Sequence, residues 1–359
     1  RRTFEGPHPL DPLREQVEKR YTNKFVYELG NAWQKQVDEA ESWRSAAVRS
    51  QRSFYGDYVE QLVREDKKAV VIVSDALRYE VAEELGSRIR QEDRFDAELE
   101  AVLGVLPSYT QLGMAALLPH RTLRHSPDGK TVLADDQPIQ AEDFKALSPE
   151  ERRELFRNNR VLYVYHDVID ATGDKQGTER RVFEAAEQAL GELVDLVKKA
   201  ANANATNIFV TADHGFLFQD EELPQQFFLS EAPHGDKILV KNKRYVLGHG
   251  LKVDFAFATF SGVQLELDSD IEVQIPKSIH RLRLPGGGTR FVHGGATLQE
   301  VVVPVLAINK KRKSDTRLVN VKVLPDTDKI TTGQLVVKLF QSESVSDKVQ
   351  ARVLRAGVY

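Results

Sequence analysis

Four short segments of this chain are apolar almost from end to end: "AVVIV" at 69–73, "LEAVLGVL" at 99–106, "VLYVY" at 161–165 and "NIFV" at 207–210. A strand with one face in water alternates apolar and polar residues. Strands that do not alternate are covered on both faces, and they belong to parallel sheets packed between helices. The segment 179–200, "ERRVFEAAEQALGELVDLVKKA", has the helical counterpart: an acidic start, apolar residues at a 3.6 period, and Lys198 and Lys199 at the end that complements the helix dipole. Strand alternating with helix predicts an α/β fold, a doubly wound, mostly parallel sheet flanked by helices.

With 359 residues, 41% of them hydrophobic, the chain can bury a sizeable core and hold more than one unit. Residues 11–65 read as a helical N-terminal element (1–65), with Trp33, Val37, Ala40, Trp43, Ala47 and Val48 on one face docking against the main domain. The main domain spans 66–310, and its polar stretch 120–160 is read as an insertion. It includes β-prone pieces after residue 235, "KRYVLG", "VQLELD" and "IEVQI". Residues 311–359 alternate in "RLVNVKVL" and "QLVVKLF", the start of a β-rich segment that reads as cut short.

The composition limits the chemistry. Without cysteine there are neither disulfides nor thiolate ligands, so a metal site must use His, Asp, Glu or hydroxyl oxygens. A net charge of -4 excludes a globally basic nucleic-acid coat but allows local positive patches. No run approaches the roughly 18 apolar residues of a membrane helix, and "RRTFEGPHPL" lacks the apolar core of a secretory signal, so a cytoplasmic setting with no membrane role is expected.

In an open α/β sheet, ligands bind beyond the carboxyl ends of the strands. The first apolar segment delivers Asp75. The second leads through Pro107 to Ser108 and Thr110 at the start of an apolar helix. The third delivers His166, Asp167, Asp170 and Asp174, the fourth Asp213 and His214, and "RFVHGGATLQE" presents His293. Each has an ordinary reading as a cap or turn residue when taken singly. Jointly they form the parts of a two-metal phosphoryl-transfer site, in which carboxylates and imidazoles hold two divalent ions about 4 Å apart. Thr110 would be the activated hydroxyl, and Gly215, Gly294 and Gly295 would let the backbone turn beside the ions.

The motifs "VIVSDALRYE", "LPSYTQLGMAALLP", "YHDVIDATGD", "TADHGF" and "HGGATLQEVVVPV" resemble the PglZ domain, a branch of the alkaline phosphatase superfamily found in bacteriophage-exclusion (BREX) defence systems. The resemblance covers roughly residues 66–308. It implies an alkaline phosphatase-like fold and one metal shell of Asp75, Asp213 and His214 with Thr110. A second shell would comprise Asp170, Asp174 and His293, with Thr110 as nucleophile, Ser108 as the secondary candidate and His166 as an orienting side chain or substitute ligand. The superfamily's phosphodiesterases carry Asp-x-x-x-His where this chain has Asp170-Ala-Thr-Gly-Asp174. Zn²⁺ is therefore expected at the first site, and Zn²⁺, Mn²⁺ or Mg²⁺ at the second. The implied function is a metal-dependent hydrolase of phosphoric esters, a phosphodiesterase or nuclease forming a phosphothreonine, with other BREX proteins as partners and nucleic acid as a possible substrate. The alternatives are a phosphomonoesterase and a largely non-catalytic scaffold of the defence complex.

Other features read as structural. "LPGGGTR" (284–290) lacks the ending of a phosphate-binding loop, "KKRK" (310–313) and "KNKR" (241–244) read as solvated loops, and His120 and His125 as surface residues. Arg78 fits a salt bridge or a phosphate contact equally.

Overall fold

A computed structural model describes residues 9–135, 149–220, 223–229, 233–284, 288–325, 336–355 and 357. Its centre is a six-stranded sheet built from Arg49–Ser50 (β1), Ala69–Ser74 (β2), Phe95–Leu103 (β3), Val161–His166 (β4), Asn207–Thr211 (β5) and Val302–Lys310 (β6), in the order β1-β3-β6-β5-β2-β4. The pairs β2–β4, β2–β5 and β1–β3 are parallel, while β6 runs antiparallel to both of its neighbours. The sheet is mixed and mostly parallel, with helices on its faces, which makes this an α/β fold.

The apolar segments become strands for the expected reason. All six residues of β2 are buried, and β5 is buried from Ile208 onward. β3 departs from expectation. It begins at Phe95 and alternates over its first half, leaving Glu98 and Glu100 exposed on one face. The run Gly104–Leu106, expected to continue the strand, is instead the buried lead into the next helix.

Helices Tyr79–Gln91 (α1), Thr110–Leu117 (α2), Val168–Gly173 (α3) and Val182–Asn202 (α4) follow β2, β3 and β4. In α4 the residues Val182, Ala185, Ala186, Ala189, Leu193, Leu196 and Ala200 form one buried face against the sheet. A four-stranded antiparallel sheet of Lys237–Lys241, Val246–His249, Phe257–Phe260 and Glu272–Pro276 shares a second core with α2, in which Leu247 and Val273 meet Leu112 and Ala115. "VQLELD" is not one of its strands. Residues Val263–Leu265 make a single tight helical turn and Glu266 takes a positive φ of 60°, which no strand allows.

The N-terminal element is helical from Asp11 to Glu39 and again from Tyr55 to Arg64, but residues 40–48 are irregular. Trp33 and Trp43 therefore do not share a helix face, and Val48 is exposed. The two indoles still meet edge-on, with centroids 6.5 Å apart, and each reaches into the main domain. Trp33 Nε1 donates to Ala296 O and Trp43 Nε1 to Gly104 O, both at 2.7 Å. The C-terminal part is β-rich, with Arg317–Leu318 beside Val349–Gln350 and Val321–Pro325 beside Val337–Gln341. The stretch expected to be an insertion lies partly outside the described residues. Its described parts are the hairpin Leu123–His125 with Val132–Ala134 and the helix Pro149–Asn158.

Candidate metal centre

Five loops converge beyond one edge of the sheet. Asp75 follows β2, and its amide donates to His166 O at 2.7 Å, so β4 sets the direction in which β2 exits. Ala76 has a φ of 60°, uncommon for a residue with a side chain, and this turns its N–H onto Asp213 Oδ1 at 3.1 Å. The His214 amide bonds the same oxygen at 2.9 Å. With Oδ1 held twice, Oδ2 of Asp213 faces inward, buried and without a hydrogen-bond partner. Gln51, fully buried, fastens this loop by donating to Ala212 O (3.0 Å) and Asp213 O (2.8 Å) while accepting from Val105 N (2.9 Å).

His214 turns Nδ1 to Gly215 O at 3.0 Å, which leaves Nε2 pointing into the cluster. From Nε2 it is 3.1 Å to Thr110 Oγ1, 3.3 Å to Asp213 Oδ2 and 3.5 Å to Asp75 Oδ1. Thr110 opens α2, which lies directly on the Asp213 backbone. A Cβ on Gly113 would sit 2.2 Å from Asp213 O, so only glycine permits this approach.

His293 arrives from Phe291–Val292, which pairs antiparallel with Leu217–Phe218 just past His214. This short ladder stacks the two imidazoles, with centroids 4.1 Å apart and planes within 6°. His293 Nδ1 faces Ser108 O at 3.4 Å, and its Nε2 lies 3.8 Å from Asp170 Oδ1. Ser108 Oγ donates to Gly295 O at 2.6 Å, a structural bond. The ligand atoms of Asp75, Asp213 and His214 all lie within 4.8 Å of one another, as do those of Asp170, His214 and His293. His214 thus belongs to both groups.

Asp174 stands apart from both groups. It caps the C-terminal end of the short helix α3, exposed, with its amide bonded to Asp170 O at 2.9 Å. Asp167 is exposed as well. The His166 side chain faces α4, with Nδ1 3.0 Å from Ser74 Oγ and Nε2 3.6 Å from Glu192, so its link to Asp75 is through its backbone carbonyl.

The electrostatics suit cations. Burial, then the neighbouring carboxylates Asp213 and Asp170, push the Asp75 carboxyl far above its ordinary range. Burial likewise raises Asp213, against the two amides on its Oδ1, and raises Asp170. Burial and the stacked His293 hold His214 well below the usual histidine range, leaving its imidazole neutral and a free donor. Asp75 Oδ1, Asp170 Oδ1 and Asp213 Oδ2 are buried with no hydrogen-bond partner among the described residues. Buried carboxylate oxygens left in this way are costly unless protonated or bound to metal, so this donor set of carboxylates and neutral imidazoles fits divalent ions.

A family profile for the BREX system PglZ alkaline phosphatase-like domain matches residues 54–145 and 137–308. The chain belongs to the PglZ family. The alkaline phosphatase-like protein BrxZ of Escherichia coli O9:H4 (strain HS) is 39% identical to it over 382 aligned residues, covering 97% of this chain and 44% of BrxZ. The alkaline phosphatase-like protein PglZ of Bacillus cereus (strain H3081.97) is 34% identical, over 94% of this chain and 42% of its own. The PglZ domain chain thus spans less than half the length of these two relatives. Among solved structures, murine ectonucleotide pyrophosphatase/phosphodiesterase 5 aligns over 67% of this chain and 88% of its own, at 12% identity and a TM-score of 0.44. The human protein aligns at 12% identity and 0.43, over 67% of this chain and 87% of its own.

Several residues that frame the site in this PglZ domain carry no signal of their own in the sequence, Gln51 and Gly113 among them. Others that read as surface residues are at least partly buried. In "KNKR", Arg244 is fully buried in an ion pair with Glu300 and Lys243 is half-buried. His125 is buried with its ring stacked on Tyr109, the residue before Thr110, and burial lowers it to about 4. The surface reading holds for "KKRK": Lys311, Arg312 and Lys313 are exposed, Lys311 pairs with Asp96 and Asp315, and Lys310 lies over the Phe95 ring. Arg78 pairs with Glu80 and lies over Phe216, 5.2 Å from its centroid. "LPGGGTR" falls partly outside the described residues.

Proposed function

We propose that this PglZ domain is a metal-dependent phosphoesterase that cleaves phosphodiesters of nucleic acid, with Thr110 as nucleophile. The observation that carries the reading is the convergence of three buried, unpartnered carboxylate oxygens and two imidazole nitrogens beside one hydroxyl at a helix start. Asp75, Asp213 and His214 with Thr110 would hold one divalent ion, and Asp170 and His293 the other, which Asp174 would join by turning its exposed side chain inward. The first group suits Zn²⁺; a carboxylate at position 174 lets the second accept Mn²⁺ or Mg²⁺ as well as Zn²⁺. Such ions supply charge neutralisation for the carboxylates and the phosphoryl oxygens, and they make a hydroxyl easier to deprotonate.

In this reading Thr110 Oγ1 loses its proton to solvent and forms a bond to phosphorus, while the bond from phosphorus to the departing ester oxygen breaks. The departing oxygen takes a proton from water. A water molecule then attacks the phosphothreonine and restores the Thr110 hydroxyl. The free N–H groups of the first turn of α2 favour the incoming phosphate. The one lone pair of the neutral His214 Nε2, 3.1 Å from Thr110 Oγ1, would go to the ion, so a hydrogen bond from the Thr110 hydroxyl to His214 belongs to the metal-free protein only. Nucleic acid is favoured as the substrate because the family belongs to BREX systems, with the remaining BREX proteins as partners and the cytoplasm as the setting. No described helix is long and apolar enough to cross a membrane.

The test is hydrolysis of an aryl phosphodiester, an aryl phosphomonoester and a labelled oligonucleotide across Zn²⁺, Mn²⁺ and Mg²⁺. Thr110→Ala is expected to lower diester turnover by roughly 10³-fold or more with an unchanged melting curve. Undiminished turnover by a folded Thr110→Ala protein would exclude the nucleophile, and a preference for monoesters would exclude the proposed substrate class.

A further inference from the structure

The two histidine-bearing loops are tied to a single buried carboxylate. Glu300 is fully buried, and both of its oxygens are saturated. Oε1 accepts from Arg244 Nε at 3.0 Å and Gly295 N at 2.9 Å. Oε2 accepts from Arg244 Nη2 at 2.7 Å, Thr297 N at 3.1 Å and Thr297 Oγ1 at 2.7 Å. The backbone carbonyl of the same residue accepts from Gly215 N at 2.9 Å. One residue therefore holds the chain two positions after His293 and one position after His214.

Arg244 completes the clamp. It meets Glu300 in a planar two-bond fork, and it donates onward to Ser278 O at 2.9 Å and to His280 O. Neither loop has slack at the points of attachment: a Cβ on Gly295 would sit 2.2 Å from the Arg244 guanidinium, and one on Gly215 2.1 Å from Gln299 O. A buried ion pair is a poor source of net stability, since desolvating two charges cancels most of their attraction. Five hydrogen bonds to one carboxylate, three of them from the loop that carries His293, place its value in geometry.

We infer that Glu300 and Arg244 are positioning residues that hold the His214 and His293 rings in stacked, ligand-ready register. This rests on the metal-site reading proposed above. Partners that orient metal ligands without touching the ion commonly change affinity by about 10–100-fold when removed. Glu300→Gln keeps the shape but loses the charge and turns one acceptor into a donor that faces donors. It is expected to weaken Zn²⁺ and Mn²⁺ binding to the metal-free protein by about 10–100-fold and to alter the visible absorption of the Co²⁺-loaded protein. Arg244→Lys, which keeps charge but loses the fork, should fall between.

The experiment is titration of metal-free wild-type and variant proteins with each ion, alongside circular dichroism and the Co²⁺ spectrum. Wild-type affinity and spectrum in folded Glu300→Gln, even with a lowered melting temperature, would overturn the inference by showing a purely structural role. If Glu300→Gln does not fold, Thr297→Val serves instead, since it removes one donor and leaves the ion pair. An affinity loss of about fivefold supports the inference, and no loss overturns it. Failure of the wild-type protein itself to take up any ion overturns the metal-site reading, a result distinct from either.

Discussion

Replacing Gly113 by alanine tests the site through packing alone, because the residue carries no chemistry. The added Cβ would lie 2.2 Å from Asp213 O, 2.7 Å from its carbonyl carbon and 2.9 Å from its Cα, all of them backbone atoms. Backbone cannot swing aside as a side chain can, and Gln51 pins that carbonyl from the other side. The helix α2 must therefore retreat by about 1 Å, and Thr110 at its start goes with it; misplacement of that size costs on the order of 100-fold in rate. Forcing an extra carbon into a filled contact costs roughly 1–3 kcal/mol of stability. The matched control is Gly191→Ala in α4, where nothing lies within 4 Å of the new carbon. Helix propensity there should add roughly 0.5–1 kcal/mol. Chemical denaturation of both variants, with diester turnover and metal titration, reads out all three quantities. If Gly113→Ala were as stable as wild type and kept its turnover, α2 would not rest on the Asp213 backbone, and the reasoning about Thr110 would fail.

Two further predictions concern the ions. In the metal-free protein Asp75, Asp170 and Asp213 hold protons more tightly than in the unfolded chain, owing first to burial. Raised carboxyl values mean that the folded state binds more protons above the unfolded value of about 4, so stability should fall as pH rises from there through neutrality. The slope is about 1.4 kcal/mol per pH unit for each proton so held. Mn²⁺-loaded protein should show the opposite trend over pH 5–8, because metal displaces those protons; a flat or rising metal-free profile in denaturant melts would contradict the cluster's electrostatics. Asp174→His, which restores imidazole at the end of α3, should raise Zn²⁺ affinity at the second group relative to Mg²⁺, measured by competition titration; an unchanged ratio would show that position 174 does not reach that ion.

The parts of this fold that were legible beforehand are those fixed by covering both faces of a strand. β2, β4 and β5 stand where their apolar runs stand, and the acidic and imidazole residues just past them meet because parallel strands end at a common edge. β3 was harder to read, since its first half alternates and its last apolar residues have left the sheet. The central place of β6 depends on pairing, which no local pattern encodes. Asp174 follows Asp170 at a spacing that would share a helix face, yet α3 ends at Gly173 and position 174 points to solvent. Gln51 and Arg244 act through hydrogen bonds to backbone far away in sequence, whereas the Glu300 side chain closes a local Thr297-x-x-Glu300 capping box and meets distant chain only through Arg244 and its own carbonyl. A basic tetrapeptide gives no hint that one of its members is wholly buried.

The antiparallel course of β6 has a consequence for synthesis of the protein. Val302 pairs with Leu103 and Val305 with Thr211, so this strand alone joins β3 to β5. A growing chain that has emerged only as far as His293 would possess all seven side chains proposed here to hold ions but two separate half-sheets to carry them. Asp75, Asp170 and Asp213 would sit on one, and the strand leading to Thr110 would be adrift on the other. In the reading proposed above, Asp75, Asp213 and His214 would already lie together on one half-sheet, and Thr110 would join them only once β6 has left the ribosome and bridged the two.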